Sequence, residues 1–397
     1  MQTTNTPGIQ GATTSAPIRP GAGSRLLSVQ ALRAVGALLV VWAHSIDAAE
    51  RFTVPHQSNF FYWGNFGASG LDIFFVISGF IVSLVAARAA AQTNPQQKHP
   101  ARRFLSRRIT RIFPLYWVLT VVVILEGELG RYKIPWHAVP WLPTVLLLPS
   151  LHYPSNSPLL SLGWSLMFEM YFYYILTLFI LWTPRFVVRN TALLLCAVVA
   201  VGAMIGIRYP LLVLWMNPMI LEFVFGCMIG LVFARHRGFS KVASRMGLWV
   251  AMLGAVLLTV TIFTGYGQAS EAPSILAGYD CWLRVGVWGV PSALLVGGAI
   301  FWNPEMFWNP GMRSLPARLL VFLGDASYSI YLCTIPARSV VEHYWRIFGA
   351  LGADTGVFLG AVFCTVVGIV CYLLVERPLM RMFHNWYKPI PFHATPA

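Results

Sequence analysis

Long apolar runs alternate with short polar or basic connectors along this chain. Ten runs are long enough to cross a bilayer: residues 29–48, 67–87, 109–126, 164–182, 191–208, 212–234, 247–265, 282–302, 319–337 and 355–375. A hydrocarbon core of about 30 Å takes about 20 helical residues, and in lipid only helices or closed barrels satisfy the backbone. A further apolar piece, 138–151, is shorter and carries Pro140, Pro143 and Pro149. The basic connectors decide whether it crosses. Segment 87–111 holds Arg88, Lys98, Arg102, Arg103, Arg107, Arg108 and Arg111 with no acid, which puts it in the cytoplasm. If 138–151 does not cross, the connectors with Arg185 and Arg189, Arg235 and Lys241, and Arg313 and Arg318 share that side. If it crosses, they all fall outside. The pattern therefore predicts an all-α polytopic membrane helix bundle with ten transmembrane helices and both termini cytoplasmic. Residues 138–151 form a short re-entrant or interfacial segment. Irregular backbone at membrane depth needs protein or a water-filled cavity beside it, so this segment is also an expected cavity wall.

Composition sharpens the class. Of 397 residues, 57% are hydrophobic and 11% charged, against about 25% charged in average soluble domains. No large soluble catalytic domain fits in this length. Residues 1–24 are rich in Thr, Ser, Pro, Gly and Ala and read as a disordered cytoplasmic tail. Residues 25–380 read as one membrane domain, 381–397 as a short cytoplasmic tail, and the first span as an uncleaved insertion signal. The net charge of +14 follows mostly from basic cytoplasmic loops. It is not spread over a soluble face, so no nucleic-acid partner is expected. All six cysteines lie in or beside apolar runs without metal-ligand spacing. They read as packing, and no metal site is expected.

Ionisable residues inside the spans carry the chemistry. Each costs roughly 2.5–3.5 kcal/mol on insertion scales, which makes it a functional candidate. Arg33 and His44 lie eleven residues apart on the first span, near one face and about 16 Å apart along the axis. One is a permanent cation toward the cytoplasmic side. The other is an imidazole, which titrates near neutrality, toward the outer side. Asp72 reads either as the acid that orients His44 or as a helix N-terminal acid favoured by the dipole. Glu169, among the aromatics of Trp164–Tyr174, takes a sugar hydroxyl or pairs a cation. Glu222 reads as a salt-bridge partner, to Arg33 or Arg338, as readily as a catalytic group. Arg107, Arg108 and Arg111 share a helix side where the third span enters the membrane. Arginine grips phosphate bidentately, so this cluster reads either as the site for a phosphorylated cytoplasmic donor or as lipid-headgroup contact that reinforces the topology.

Together these segments resemble the acyltransferase-3 family of integral membrane O-acyltransferases, in its exopolysaccharide-acetylating branch. The resemblance rests on Val29-Gln30-Ala31-Leu32-Arg33 with ten residues before His44, on the stretch Leu71 to Phe80 around Asp72, and on Arg107 to Pro114. It continues through Gly163 to Glu169, Glu222-Phe223 with Gly226, Phe322 to Leu332, and Glu376-Arg377-Pro378. It implies transfer of an acyl group, usually acetyl from acetyl-CoA, to a carbohydrate or glycolipid hydroxyl. The setting it implies is a bacterial inner membrane. No cofactor is held permanently. The family's essential histidine corresponds to His44, its paired basic residue to Arg33, and its CoA-phosphate arginines to Arg107, Arg108 and Arg111. Asp72 or Glu169 would fix the tautomer of His44, and Trp164, Glu222, Tyr328 and Tyr331 are the expected substrate contacts. Many relatives carry a histidine where this chain has Thr334; threonine cannot act as a base near neutral pH, so that position is expected to serve the acceptor site or packing. Intramembrane Arg, His and Glu also build proton relays, so a proton-coupled transporter or flippase of a glycan-related substrate is the competing class. Against it stands the lack of paired, repeat-related broken helices.

Overall fold

The computed structural model describes residues 22–52, 60, 66–91, 99–130, 132–149, 157–205, 210–235, 241–264, 275, 276, 278, 281–302 and 315–384. Most of the expected 1–24 tail, residues 385–397 of the other tail, and the last residues of segment 138–151 lie outside these. The described residues hold ten helices long and apolar enough to span a membrane. They are α1 (Leu27–Glu50), α2 (Ser69–Ala91), α3 (Pro100–Glu128), α4 (Gly163–Trp182), α5 (Pro184–Ile205), α6 (Leu212–Arg235), α7 (Val242–Phe263), α8 (Cys281–Phe301), α9 (Leu315–His343) and α10 (Ala353–Phe383). Each coincides with one of the ten apolar runs, and no strand occurs among the described residues.

The bundle is apolar inside and out, as lipid requires. Phe358, Val362, Val366 and Val370 recur every fourth residue of α10 and form an exposed stripe, the spacing of one helix face. Inside, the association of apolar helices in an apolar solvent depends on close packing, which small residues permit. Gly226 on α6 and Gly79 on α2 show this. A Cβ on Gly226 would strike the Val76 carbonyl oxygen, and one on Gly79 would strike that of Phe223.

Helices α1 and α9 frame the site. Gln30 donates to Asp325 at 2.7 Å, and about four turns further on Arg338 approaches His44 at 3.4 Å. The offset is 295 residues at the first contact and 294 at the second. The two helices therefore run parallel in constant register. Alanines fill the seam between α1, α9 and α10: Ala37, Ala48, Ala326 and Ala337 are buried there with Val41, Ile330, Val341 and Cys364.

The parallel pairing settles the status of segment 138–151. Seven spans separate α1 from α9, and an odd number returns the chain in the starting direction. One more crossing would make the pair antiparallel. A 3-10 turn at Trp136–Ala138 instead leads into the segment, which holds a π turn at Leu142–Leu146. It lies against α3, where Tyr116 donates to the Thr144 carbonyl at 2.9 Å and Trp117 to that of Val145 at 2.8 Å. Trp141, Leu142, Val145 and Leu146 stay exposed.

Gly226→Ala is expected to destabilise the protein by about 1–3 kcal/mol, because the α2 backbone must move to admit the methyl group. Gly286→Ala, which meets no atom within 4 Å, is the control and is expected to leave thermal unfolding in detergent unchanged.

Candidate active site

A cavity of about 170 Å³ opens between α1, α2, α3, α4 and α9. Its polar wall is Arg33 from α1, Arg108 and Arg111 from α3, Glu169 from α4, and Tyr328 and Tyr331 from α9. The register of α1 against α9 brings this about: Arg33 stands level with Ser327 and Tyr328, so one cation and two phenols meet on the inner face of the seam. Of the sequence-predicted residues, these six meet at one place.

Their charges are not equivalent. Arg111 forms an ion pair with Glu376, in the π turn Tyr372–Glu376 of α10, and stacks over Tyr328 at 5.2 Å. Ser329 also donates to Glu376, which fixes the carboxylate from a second helix. Glu169 accepts from Ser78 at 2.7 Å and from Tyr173. Arg108 lies over the rings of Phe104 and Tyr173, at 5.8 and 5.9 Å. Its Nε is buried without a hydrogen-bond partner. Arg33 has one long contact, 3.4 Å to Gln30. Among the described residues neither Arg33 nor Arg108 has a carboxylate within ion-pair distance. Glu169 and Glu376 lie near enough to act on Arg33, but Arg33, Arg108 and Arg111 still outnumber these two carboxylates around the cavity, and excess cationic charge in low dielectric gives the cavity an affinity for an anion. Arg107 is not among the lining residues. It is half-buried, with Arg103 and Arg108 as charged neighbours. No described part of 138–149 lines the cavity either, so the expected cavity wall is not found there.

His44 stands outside this cavity, seven residues beyond the level of Tyr331, roughly 10 Å along the axis. Its Nδ1 lies 2.9 Å from Asp47 Oδ2 and 3.4 Å from Arg338 Nη1. Arg338 also reaches Asp47, at 3.3 Å, and Glu342, at 2.8 Å. Arg51 closes the chain on Glu342 at 3.1 Å. The acid beside His44 is thus Asp47 rather than Asp72 or Glu169. It sits one turn further along the same helix, where i and i+3 side chains meet. The His44-x-x-Asp47 spacing is visible in the sequence, one helical turn on a shared face. Between His44 and the cavity the seam is closed by buried Val41, Ile330, Thr334 and Ala337. Thr334 gives its hydroxyl to the Ile330 carbonyl at 2.9 Å, so at this position it packs.

Asp72 belongs to a different cluster. It is fully buried and holds Arg284 of α8 through two contacts, 2.8 and 3.2 Å. Arg284 also donates to the Ala68 carbonyl at 3.1 Å and lies over Trp288 at 4.8 Å. Glu222, fully buried, faces the same pair. The side-chain-free Gly289 makes its room, since a Cβ there would come within 2.9 Å of Glu222 Oε1. Sequence reasoning passed over Arg284, although a lone arginine in an apolar span is the counter-charge an intramembrane aspartate needs. Trp164, buried edge-on against Phe168, and Glu222 are therefore packed away from the cavity wall where substrate contacts were expected. Tyr328 and Tyr331 do line it, with hydroxyls engaged by the Ile112 carbonyl at 2.8 Å and by Ser165 at 2.7 Å.

The fold and site define a multi-pass membrane protein with a cationic intramembrane cavity and a histidine–aspartate pair further along the same helix. Residues 26–377 match the family model described as an acyltransferase domain, and the chain belongs to that acyltransferase-3 family. It is 30% identical over 323 residues to the exopolysaccharide production protein ExoZ of Rhizobium meliloti, covering 79% of this chain and 90% of that one. It is 25% identical over 419 residues to the acyltransferase MdmB of Streptomyces mycarofaciens, covering 94% and 96%. It is 24% identical over 371 residues to the peptidoglycan O-acetyltransferase OatA of Listeria monocytogenes, covering 83% of this chain and 54% of that one. No solved structure matches. The protein is an enzyme of the acyltransferase class, and the transporter alternative finds no support.

Removing one partner of a buried ion pair strands the other charge and costs about 3–5 kcal/mol. Arg284→Met is therefore expected to lower membrane abundance and thermal stability sharply. Adding Asp72→Asn to it is expected to restore most of the loss, measured by thermal unfolding of both variants.

Proposed function

We propose that this protein moves an acyl group, acetyl in the first instance, from acyl-CoA to a hydroxyl of a cell-surface or exported carbohydrate. One observation carries the reading: an anion-seeking cavity and an oriented imidazole lie at two depths of one helix. The basic connectors around α3 argue that the cavity end faces the cytoplasm, where acyl-CoA is found. The membrane is then the bacterial inner membrane, with both termini inside. The names of the Rhizobium and Listeria relatives, an exopolysaccharide production protein and a peptidoglycan O-acetyltransferase, argue for a glycan acceptor.

The donor's phosphates are drawn to Arg33 and Arg108, which have no carboxylate within ion-pair distance among the described residues, with Arg111 fixed by Glu376 as the third wall. Arg107 adds positive potential outside the cavity. The pantetheine arm runs along α1 toward His44. The seam of Val41, Ile330, Thr334 and Ala337 must part to admit it, so donor binding and seam opening are coupled. Asp47 holds Nδ1 of His44 as the protonated nitrogen and leaves Nε2 as the base. Nε2 takes the proton of the acceptor hydroxyl as that oxygen attacks the thioester carbonyl. The carbon–sulfur bond breaks, the ester forms, and the proton passes from the imidazolium to the leaving thiolate. Arg338, within reach of both Asp47 and His44, keeps the pair from swinging away.

His44→Ala is expected to abolish glycan acetylation at normal membrane abundance. Asp47→Asn is expected to lower kcat by about 10²-fold with both KM values held, since it disturbs the tautomer and not binding. Arg108→Gln is expected to raise the acetyl-CoA KM about tenfold with a smaller change in kcat. Acetyl transfer by purified enzyme in nanodiscs reads all three; retained transfer by His44→Ala would sink the mechanism.

A further inference from the structure

The far end of the α1–α9 seam carries a second cavity that the mechanism above has not used. It measures about 560 Å³, in the size range of small-molecule sites. Arg51 and Phe52 at the end of α1, Tyr132 beyond α3, and Ile335, Arg338, Ser339, Glu342 and His343 on α9 line it. We propose that this cavity is the acceptor subsite, and that it holds a neutral, hydroxyl-rich glycosyl unit with one hydroxyl turned toward His44. The proposal rests on the acyl-transfer function above and adds the place and class of the acceptor.

Adjacency is the first argument. Arg338 lines the cavity, and its Nη1 lies 3.4 Å from Nδ1 of His44. A ligand resting on Arg338 is one side chain from the imidazole. The 170 Å³ cavity has no such access, because the closed seam stands between.

The lining chemistry is the second. Glu342 accepts a hydrogen bond from Arg51 on Oε2 and forms an ion pair with Arg338 through Oε1, which has no hydrogen-bond partner of its own. This presents donors and an acceptor side by side, the set that neighbouring sugar hydroxyls need. Phe52 and Tyr132 add ring faces for the apolar side of a pyranose. Phe52 is half exposed and stacks on Trp345, centroids 6.0 Å apart and planes 18° from parallel. The Tyr132 hydroxyl donates to the Val123 carbonyl, which anchors the ring. Burial and the nearby Glu126 carboxylate push its phenol up to about 12, so it remains neutral.

Charge balance separates the ligand classes. Arg51 and Arg338 are matched by Glu342 and Asp47. Among the described residues both lining arginines are answered by carboxylates, so neither is left to select a uronate or a phosphate, whereas Arg33 and Arg108 in the first cavity have no carboxylate within ion-pair distance.

The test uses the full-length protein in nanodiscs. The probe is the neutral oligosaccharide fraction of the source organism's own surface glycan, stripped of its esters by mild alkali. Calorimetry measures its binding without donor, and labelled acetyl-CoA measures transfer. Arg51→Gln and the cavity-filling Ser339→Phe are expected to raise the acceptor Kd and KM at least about tenfold, with the acetyl-CoA KM within about twofold. Thermal unfolding checks that both variants fold. Binding to the wild type is expected to vary little between about 50 and about 300 mM salt, since no net charge is paired. Wild-type affinity retained in both variants, or affinity that falls steeply with salt, would overturn the subsite while leaving the transfer function standing. A wild type that transfers nothing to the probe would overturn both.

Discussion

The parallel packing of α1 against α9 is the constraint on which the rest of the structure depends. Two parallel helices held at an offset of 294–295 residues place the same pairs of side chains together turn after turn. Near Leu27 that register brings Arg33 to Tyr328; three turns on it brings His44 to Arg338. Each end becomes a site with different chemistry, and the buried alanine seam between them keeps the sites apart. The same pairing also fixes the parity of the spans, and so excludes segment 138–151 as a crossing.

Charge in a low-dielectric interior gives each site its character. Buried ions persist where another ion or a ligand answers them. Asp72 and Arg284 answer each other, so their role is to hold α2 to α8. Arg111 is answered by Glu376, so it braces α3 against α10 while still facing the cavity. Among the described residues Arg33 and Arg108 have no carboxylate within ion-pair distance, which is the ground for the proposed ligand there. The ions that look alike in a hydropathy plot thus divide into structural and ligand-seeking groups only when their partners are known.

That division explains what was legible in the sequence. The ten helices were, because a run of about 20 apolar residues has few other uses. That Arg33, Arg108, Arg111 and Glu169 are ionisable groups at membrane depth was also visible, because each interrupts or enters such a run; that they line one cavity was not. Partner identity was not. Asp72 finds Arg284 across 212 residues of chain, and no local pattern carries a pairing that distant. The His44–Asp47 pair is local, but acids also stand in other spans, and the sequence does not rank Asp47 above Asp72 or Glu169. Arg338 and Glu342 sit near the end of α9, where charged residues look like ordinary span termini until the register with α1 is known.

The central claim is that donor and acceptor meet across the α1–α9 seam from opposite faces of the membrane. Sealed proteoliposomes with the enzyme in a single orientation test it most directly. Acetyl-CoA is confined on the face of Arg33 and Arg108, and de-esterified glycan on the face of Arg338. The account predicts acetylated glycan on the second face and free CoA on the first, with no product when the two substrates exchange sides. Product that forms only when donor and acceptor share one face would contradict it.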